Sequence, residues 1–149
     1  MTVLVVDQAF NPWQAMQDYQ ASFLSSGQCG ATSVFVGNMR DFNAGDTVTA
    51  MWLEHYPGMT ENQISQIIEQ AKQQWQILDM LIMHRVGRVT PNETLVLVAA
   101  WASHRGDAID AVRYGIESLK HQAPFWKKEL LIDGTERWVA ANTTGYAKP

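Results

Sequence analysis

The 149-residue chain is 46% hydrophobic and 17% charged, with a formal net charge of −4, the profile of one globular domain over residues 1–149 built on a single core. An acidic total excludes a general nucleic-acid binder, which needs a basic face to neutralise phosphates, and the apolar content excludes a disordered chain. The lone cysteine, Cys29, excludes an internal disulfide and a cysteine-based zinc site and suits a reducing cytoplasm, while no apolar run approaches the roughly 18–20 residues of a membrane span.

Residues 1–7 lack the basic start and the cleavage site of a signal peptide and read as a first strand. Asn11-Pro12 opens a helix, because asparagine satisfies orphan N–H groups and proline loses nothing at the first helical position. That helix is expected to run to about Leu24 and to stop in Ser25-Ser26-Gly27. Residues 31–37, β-branched and aromatic, read as a buried strand. They lead into a polar loop, residues 38–46, whose only cation is Arg40, and a guanidinium is a planar fork of donors suited to phosphate.

Residues 47–56 alternate as a strand, and Pro57-Gly58 turns the chain. Thr60-Glu61-Asn62-Gln63 then has the form of a capping box with Thr60 as the cap, followed by Ile64, Ile67, Ile68, Ala71 and Trp75 at helical spacing. A strand is expected over residues 77–85, with Asp79 as its polar exception and His84-Arg85 at its end. After a turn at Pro91-Asn92-Glu93, residues 94–102 are almost continuously apolar, as in a central strand covered on both faces. Ser103-His104-Arg105-Gly106-Asp107 then precedes a helix carrying Ala108, Ile109, Val112, Ile116 and Leu119; N–H groups at a helix start favour anions, and His104-Arg105 adds a titratable group and a fixed cation there.

The far end of that helix carries Lys120. Pro124 has no N–H and pushes Ala123 toward extended backbone, so the helix is expected to end before it and Lys127 to lie on the next element. Two ammonium groups brought to one pocket from different elements depress each other's pKa, which suits lysines that bind an anion and move protons. A lysine in a last helical turn also serves simply as a partner for the helix dipole, worth about 0.3–1 kcal/mol. His104 and Lys120 stand about 15 residues apart, roughly 22 Å at 1.5 Å per residue, so a site holding both needs a second subunit to supply one of them. Residues 125–132 and 136–141 flank Asp133-Gly134, a hairpin signal, and a loose tail begins at about residue 142. Helices alternate with strands, but no glycine-rich phosphate loop follows the first strand, so the fold class is α+β, a mostly antiparallel sheet with packed helices and a C-terminal β-hairpin.

Zinc-protease, serine-hydrolase and P-loop motifs are absent, and His55, His84, His104 and His121 are scattered without the spacing of a metal site. What remains is cationic: Arg40, His104-Arg105, Lys120 and Lys127-Lys128, which implies a phosphorylated or otherwise anionic small substrate.

Several segments taken together resemble one family. They are Leu53-Glu54-His55-Tyr56-Pro57-Gly58-Met59-Thr60-Glu61, His84-Arg85-Val86-Gly87, Ala102-Ser103-His104-Arg105, Lys120 with Ala123-Pro124-Phe125-Trp126-Lys127-Lys128-Glu129, and Arg137-Trp138-Val139. Their order and spacing are similar to those of the large, catalytic subunits of molybdopterin synthase. The resemblance implies an α/β hammerhead fold and a cytoplasmic sulfurtransferase of molybdenum cofactor biosynthesis. Its substrate would be cyclic pyranopterin monophosphate. Its sulfur would arrive as a thiocarboxylate on the C-terminal Gly-Gly of a small ubiquitin-like subunit, in a heterotetramer built on a homodimer, with no cofactor and no metal.

By the same resemblance, Lys120 and Lys127 are the catalytic pair, Lys120 polarising the thiocarboxylate carbonyl and Lys127 acting as acid or base. Asn38, Met39, Arg40, His104, Arg105, Lys128 and Glu129 join them in binding substrate, His104 and Arg105 reaching in from the neighbouring large subunit. Asn38 stands where the family loop often carries a basic residue, and Met39 and Asp41 also differ from its common form. Two rival readings remain at this point. One is a non-catalytic member of the same fold that only docks a ubiquitin-like partner; the other is an RNA-binding hairpin using Phe125, Trp126 and the lysines, against which the acidic total weighs.

Overall fold

In the computed structural model, which describes residues 2–23, 27–140 and 145–147, two sheets divide the strands between them. The elements in chain order are β1 (Thr2–Val6), α1 (Pro12–Phe23), β2 (Ala31–Asn38), β3 (Phe42–Asn43), β4 (Asp46–His55), α2 (Met59–Gln74), β5 (Ile77–Arg85), β6 (Gly87–Val89), β7 (Thr94–Ala102), α3 (Arg105–Gln122), β8 (Phe125–Leu131) and β9 (Glu136–Trp138). The first sheet runs β1-β5-β7-β2, parallel only between β1 and β5. The second runs β3-β4-β8-β9, with β6 also pairing β4, and is antiparallel throughout.

Central strands β5 and β7 are apolar on both faces because helices cover both. Met80, Ile82, Val96, Val98 and Ala100 pack under Ile64, Ile67 and Ile68 of α2 and Val112, Ile116 and Leu119 of α3. On the opposite face Leu81, Met83, Leu97, Ala99 and Trp101 pack against α1 through Met16. A third cluster, with Met39, Val48, Met51, Leu53, Val86 and Val89, lies on the inner face of the second sheet and meets the first through Val5, Leu95 and Phe125. Burying these side chains at about 25 cal/mol per Å² holds the two sheets in fixed relation, and the space between them becomes the cleft described below. Among the described residues no helix is long and apolar enough to cross a membrane.

The α+β architecture with its C-terminal hairpin is as expected, and Asn11 caps α1 as expected, its Oδ1 accepting from the N–H of Trp13 at 3.0 Å and of Gln14 at 3.2 Å. Asp79, the polar exception in β5, accepts from the Tyr19 hydroxyl of α1 at 2.5 Å and lies 3.4 Å from Lys72 of α2, so it fastens both helices to the sheet.

Three expectations differ in detail. The helix after Pro57 starts at Met59, not after Thr60, so Gly58 is the N-cap and the Glu61 carboxylate accepts the Gly58 N–H. Thr60, freed from capping, is buried in the first turn, where its hydroxyl accepts from the Tyr56 N–H at 2.9 Å and donates to the Pro124 carbonyl at 3.2 Å. The short strand β3 lies where a loop was expected, β6 follows β5 where no element was assigned, and the last strand, expected to reach residue 141, ends at Trp138. The expected stop of α1 at Ser25-Ser26 and most of the tail expected from about residue 142 fall outside the described residues.

Candidate active site

The turn at Pro124 works as its sequence requires. Ala123 is extended (φ −80°, ψ 130°), and α3 closes with the Ala123 N–H donating to the Leu119 carbonyl at 3.3 Å. Thr60 clamps the Pro124 carbonyl from α2, so the junction between α3 and β8 is held from both sides. Lys120 stands in the last turn of α3, and Lys127 follows on β8 opposite Leu53 of β4. Alternation along β8 then sends Lys127 and Glu129 toward α3 and sends Trp126 and Lys128 to the other face.

Lys120 and Lys127 are hydrogen-bonded to each other through their side-chain nitrogens. Burial, and after it the charge of Lys127 and the bond to it, push Lys120 down to about 8. Lys127 is lowered as well, chiefly by burial and also by Arg40. Its bond to Lys120 and the charge of Glu129 act in the opposite direction and support its ammonium form. Lys120 is therefore the readier of the two to give its proton up, as the pH rises through about 8.

The pair opens onto a cleft of about 590 Å³ between α3, the end of β2 with the loop after it, and β8. Arg113, Ile116, Glu117 and Lys120 present one face of α3 to it, while Asn38, Met39, Arg40, Phe42 and Asn43 form the opposite wall. Arg40 lies over the Phe42 ring, 4.8 Å from its centroid, which leaves a guanidinium fork at the wall of the cleft. The Asn38 side chain accepts from the Thr94 hydroxyl at 3.2 Å. Met39 is buried in the third core cluster, and its backbone pairs with Glu93 and Asn92 at 2.9 Å each, so the loop is anchored from below.

Glu129 is buried and fixed at both oxygens. Arg137 Nε donates to one at 2.9 Å and Asn43 Nδ2 to the other at 3.1 Å, while the rest of the Arg137 guanidinium reaches Asp46 at 2.7 Å and the Asn43 carbonyl at 2.9 Å. Arg137 thus ties β9, β8 and the β3–β4 turn into the wall that carries the carboxylate beside Lys127. Such a cleft, cationic at its floor with one fixed carboxylate, is suited to holding a phosphate and moving protons at its neighbour.

Of the residues expected at the site, Asn38, Met39, Arg40, Lys120, Lys127 and Glu129 converge here. Lys128 does not. It lies on the other face of the sheet, 3.4 Å from Glu136 and over the rings of Trp52 and Trp138 at 5.1 and 5.7 Å, because a one-residue step along a strand reverses direction. His104 and Arg105 stand at the opposite end of α3 and do not line this cleft, as the helix length required. Cys29 is half-buried against the α1 side of the first sheet and does not line it either.

Asn43, Arg113, Glu117 and the packing of His84 beneath the lysines went unassigned in the sequence. His84 alone carried a signal there, a single imidazole ending an apolar strand.

A family model described as MoaE protein matches residues 6–122. A molybdopterin synthase catalytic subunit of Pseudomonas aeruginosa is 42% identical over 147 residues, 99% of this chain and 95% of that one. The chain belongs to the molybdopterin synthase catalytic-subunit family. A relative of the same name from Ralstonia nicotianae is 47% identical over 117 residues, covering 78% of this chain and 66% of its own length. Among solved structures, a molybdopterin biosynthesis MoaE protein from Burkholderia ambifaria superposes with a TM-score of 0.78 at 42% identity, covering 96% of this chain and 91% of the other. The family's fold is thus the one described above, and the cleft with its lysine pair lies within it.

Proposed function

We propose that this chain is the catalytic subunit of a molybdopterin synthase, moving sulfur from the C-terminal thiocarboxylate of a small ubiquitin-like subunit onto cyclic pyranopterin monophosphate. The observation that carries this reading is the hydrogen-bonded Lys120–Lys127 pair at the floor of a cleft of about 590 Å³ with Arg40 in its wall. In each round the thiocarboxylate sulfur forms one C–S bond to a side-chain carbon of the substrate as a C–O bond at that carbon breaks, the oxygen leaving on the opened phosphate ester in one round and as water in the other. Addition of one water to the acyl carbon then breaks the acyl–sulfur bond and leaves the partner's terminus as a carboxylate. Two rounds supply both sulfurs of the dithiolene, and no thiol of this chain takes part.

Lys127, its charge supported by Glu129, is the standing cation that stabilises negative charge developing on the acyl oxygen or the phosphate. Lys120, with its pKa near 8, takes and returns the proton of the attacking water and of the leaving oxygen. This division reverses the roles expected from the resemblance. What supports it is the difference between the two environments, since every influence on Lys120 lowers its pKa while two of those on Lys127 raise it. Arg40 binds the phosphate from the wall. His104 and Arg105, at the other end of α3, act in the cleft of a second copy of the chain.

The test is reconstitution. The protein is mixed with a thiocarboxylated small subunit and cyclic pyranopterin monophosphate, and molybdopterin is assayed. The reading expects product with two thiocarboxylates consumed per dithiolene; partner binding with no product would establish a docking protein instead.

A further inference from the structure

Beneath the lysine pair lies a second, small cavity of about 20 Å³, bounded by His84, Leu119, Lys120, Ala123, Phe125 and Lys127. It exceeds the about 10–15 Å³ that one water needs. His84 sits at the end of β5, buried, with its ring stacked on Phe125 at 3.8 Å between centroids and 16° between planes. Its Nδ1 lies 2.8 Å from the Arg85 carbonyl. A carbonyl only accepts, so the proton is on Nδ1 and Nε2 is left as a bare acceptor. With Nδ1 turned to the backbone and the ring plane set by Phe125, Nε2 is the polar atom left to meet the cavity under the lysines.

The rest of that floor, Leu119, Ala123 and Phe125, offers the ammonium groups no side-chain acceptor. We propose that His84 is a positioning residue for the sulfur-transfer reaction, its Nε2 accepting a hydrogen bond from Lys120 through one water in this cavity. A neutral ring suits the task better than a carboxylate. It orients the ammonium without locking it in the charged state, so Lys120 stays able to release its proton. His84 does not compete for that proton, because burial holds its own pKa down to about 3. Lys120 from α3, Lys127 from β8 and His55 from β4 add to that effect. The charge nearest in sequence, Arg85, is directed away, 3.0 Å from Glu93, and Glu61 of α2 is engaged 3.1 Å from His55.

This role rests on the proposed sulfur transfer, but two of its readouts do not need turnover. The ring nitrogens of His84 in the wild-type protein are observed by ¹⁵N NMR at neutral pH, where a neutral ring with the proton on Nδ1 is expected and a proton on Nε2 overturns the proposal. The titration of Lys120 is followed by NMR of its labelled side chain in wild type, His84→Phe, His84→Gln and His84→Asn. Loss of the acceptor makes the ammonium harder to keep. In His84→Phe the Lys120 midpoint, about 8 in the wild type, is therefore expected to fall by about one pH unit, the equivalent of one hydrogen bond to a charged group. Glutamine places an oxygen near the Nε2 position and restores the midpoint; asparagine, which imitates only Nδ1, does not. The pH profile of turnover is expected to move in parallel.

An unchanged Lys120 midpoint in folded His84→Phe reduces His84 to packing and overturns the proposal. If His84→Phe does not fold, the wild-type tautomer and the contrast between the glutamine and asparagine variants still decide. A wild type that makes no dithiolene while the tautomer and midpoint behave as expected rejects the sulfur-transfer reading alone.

Discussion

Lys120 and Lys127, on opposite sides of Pro124, are hydrogen-bonded to one another through their side-chain nitrogens, one delivered by the end of a helix and the other by the strand that follows. The proline makes this meeting possible. It ends α3 while Lys120 is still in the last turn and starts β8 in the register that turns Lys127 back toward the helix.

Each lysine therefore sets the other's proton affinity. In Lys127→Ala the neighbouring charge and the bond to it are gone, so the Lys120 pKa is expected to rise from about 8 toward 10.5, read by NMR of the labelled side chain. Turnover in Lys120→Ala and in Lys127→Ala is expected to fall by about 10²–10⁴-fold, the usual contribution of a positioned acid or base, with partner affinity largely retained.

Glu129 supports the Lys127 ammonium and is itself held by Arg137 and Asn43. Glu129→Gln is expected to lower the Lys127 titration midpoint further. It also weakens the charged bond from Arg137, for about 1–3 kcal/mol of unfolding free energy in urea melts.

His84 gives the fold a predictable acid sensitivity. In the native protein burial holds it neutral down to about 3, whereas an exposed imidazole protonates near 6.5. Below 6.5 the unfolded chain binds the proton and the folded chain does not. The stability contributed by the neutral ring is thus complete above about pH 6.5 and is lost as the pH falls toward 3, by about 1.4 kcal/mol per unit. Urea unfolding at about pH 7 and about pH 5 measures the slope, and His84→Phe is expected to flatten it.

At Gly30, the N–H donates to the Ala102 carbonyl at 3.0 Å, and an added Cβ would sit 2.2 Å from the Ser103 carbonyl oxygen. That oxygen is backbone and cannot swing aside. Gly30→Ala is expected to cost about 1–3 kcal/mol by overpacking and to displace the segment leading into His104 and Arg105, which lowers turnover at constant Lys120 pKa.

Cys29 donates weakly to the Ala31 carbonyl at 3.4 Å and packs beside the α1 cluster, away from the lysines. Cys29→Ala is expected to keep full sulfur transfer from a thiocarboxylated partner, measured by dithiolene yield; loss of transfer in a folded variant would place a thiol of this chain on the sulfur path.

The sequence spoke clearly wherever local chemistry decides structure. Asn11-Pro12 started α1, Pro124 ended α3, Asp133-Gly134 turned the last hairpin, and the apolar run of residues 94–102 became a doubly covered strand. The spacing of Lys120 and Lys127 around the proline was legible for the same reason. Lys128 was misplaced because charge was read in clusters, whereas a strand sorts neighbours onto opposite faces, and Lys128 went to the Trp52–Trp138 side. Thr60 looked like a cap but was claimed by a tertiary contact to Pro124, which no local pattern encodes. The floor under the lysines was hidden because His84 and Lys120 are distant in sequence and meet only once α3 crosses the sheet.

Single-turnover sulfur transfer as a function of pH, in wild type and in Lys120→Arg, tests the role given to the lysine pair most directly. The wild-type rate is expected to rise with pH through about 8, as Lys120 loses its proton. With a permanently charged guanidinium in place of the amine, the rate is expected to be at least about 10²-fold lower and to lack that rise. A Lys120→Arg variant that transfers sulfur at the wild-type rate, or a wild-type profile flat across that range, would contradict that role.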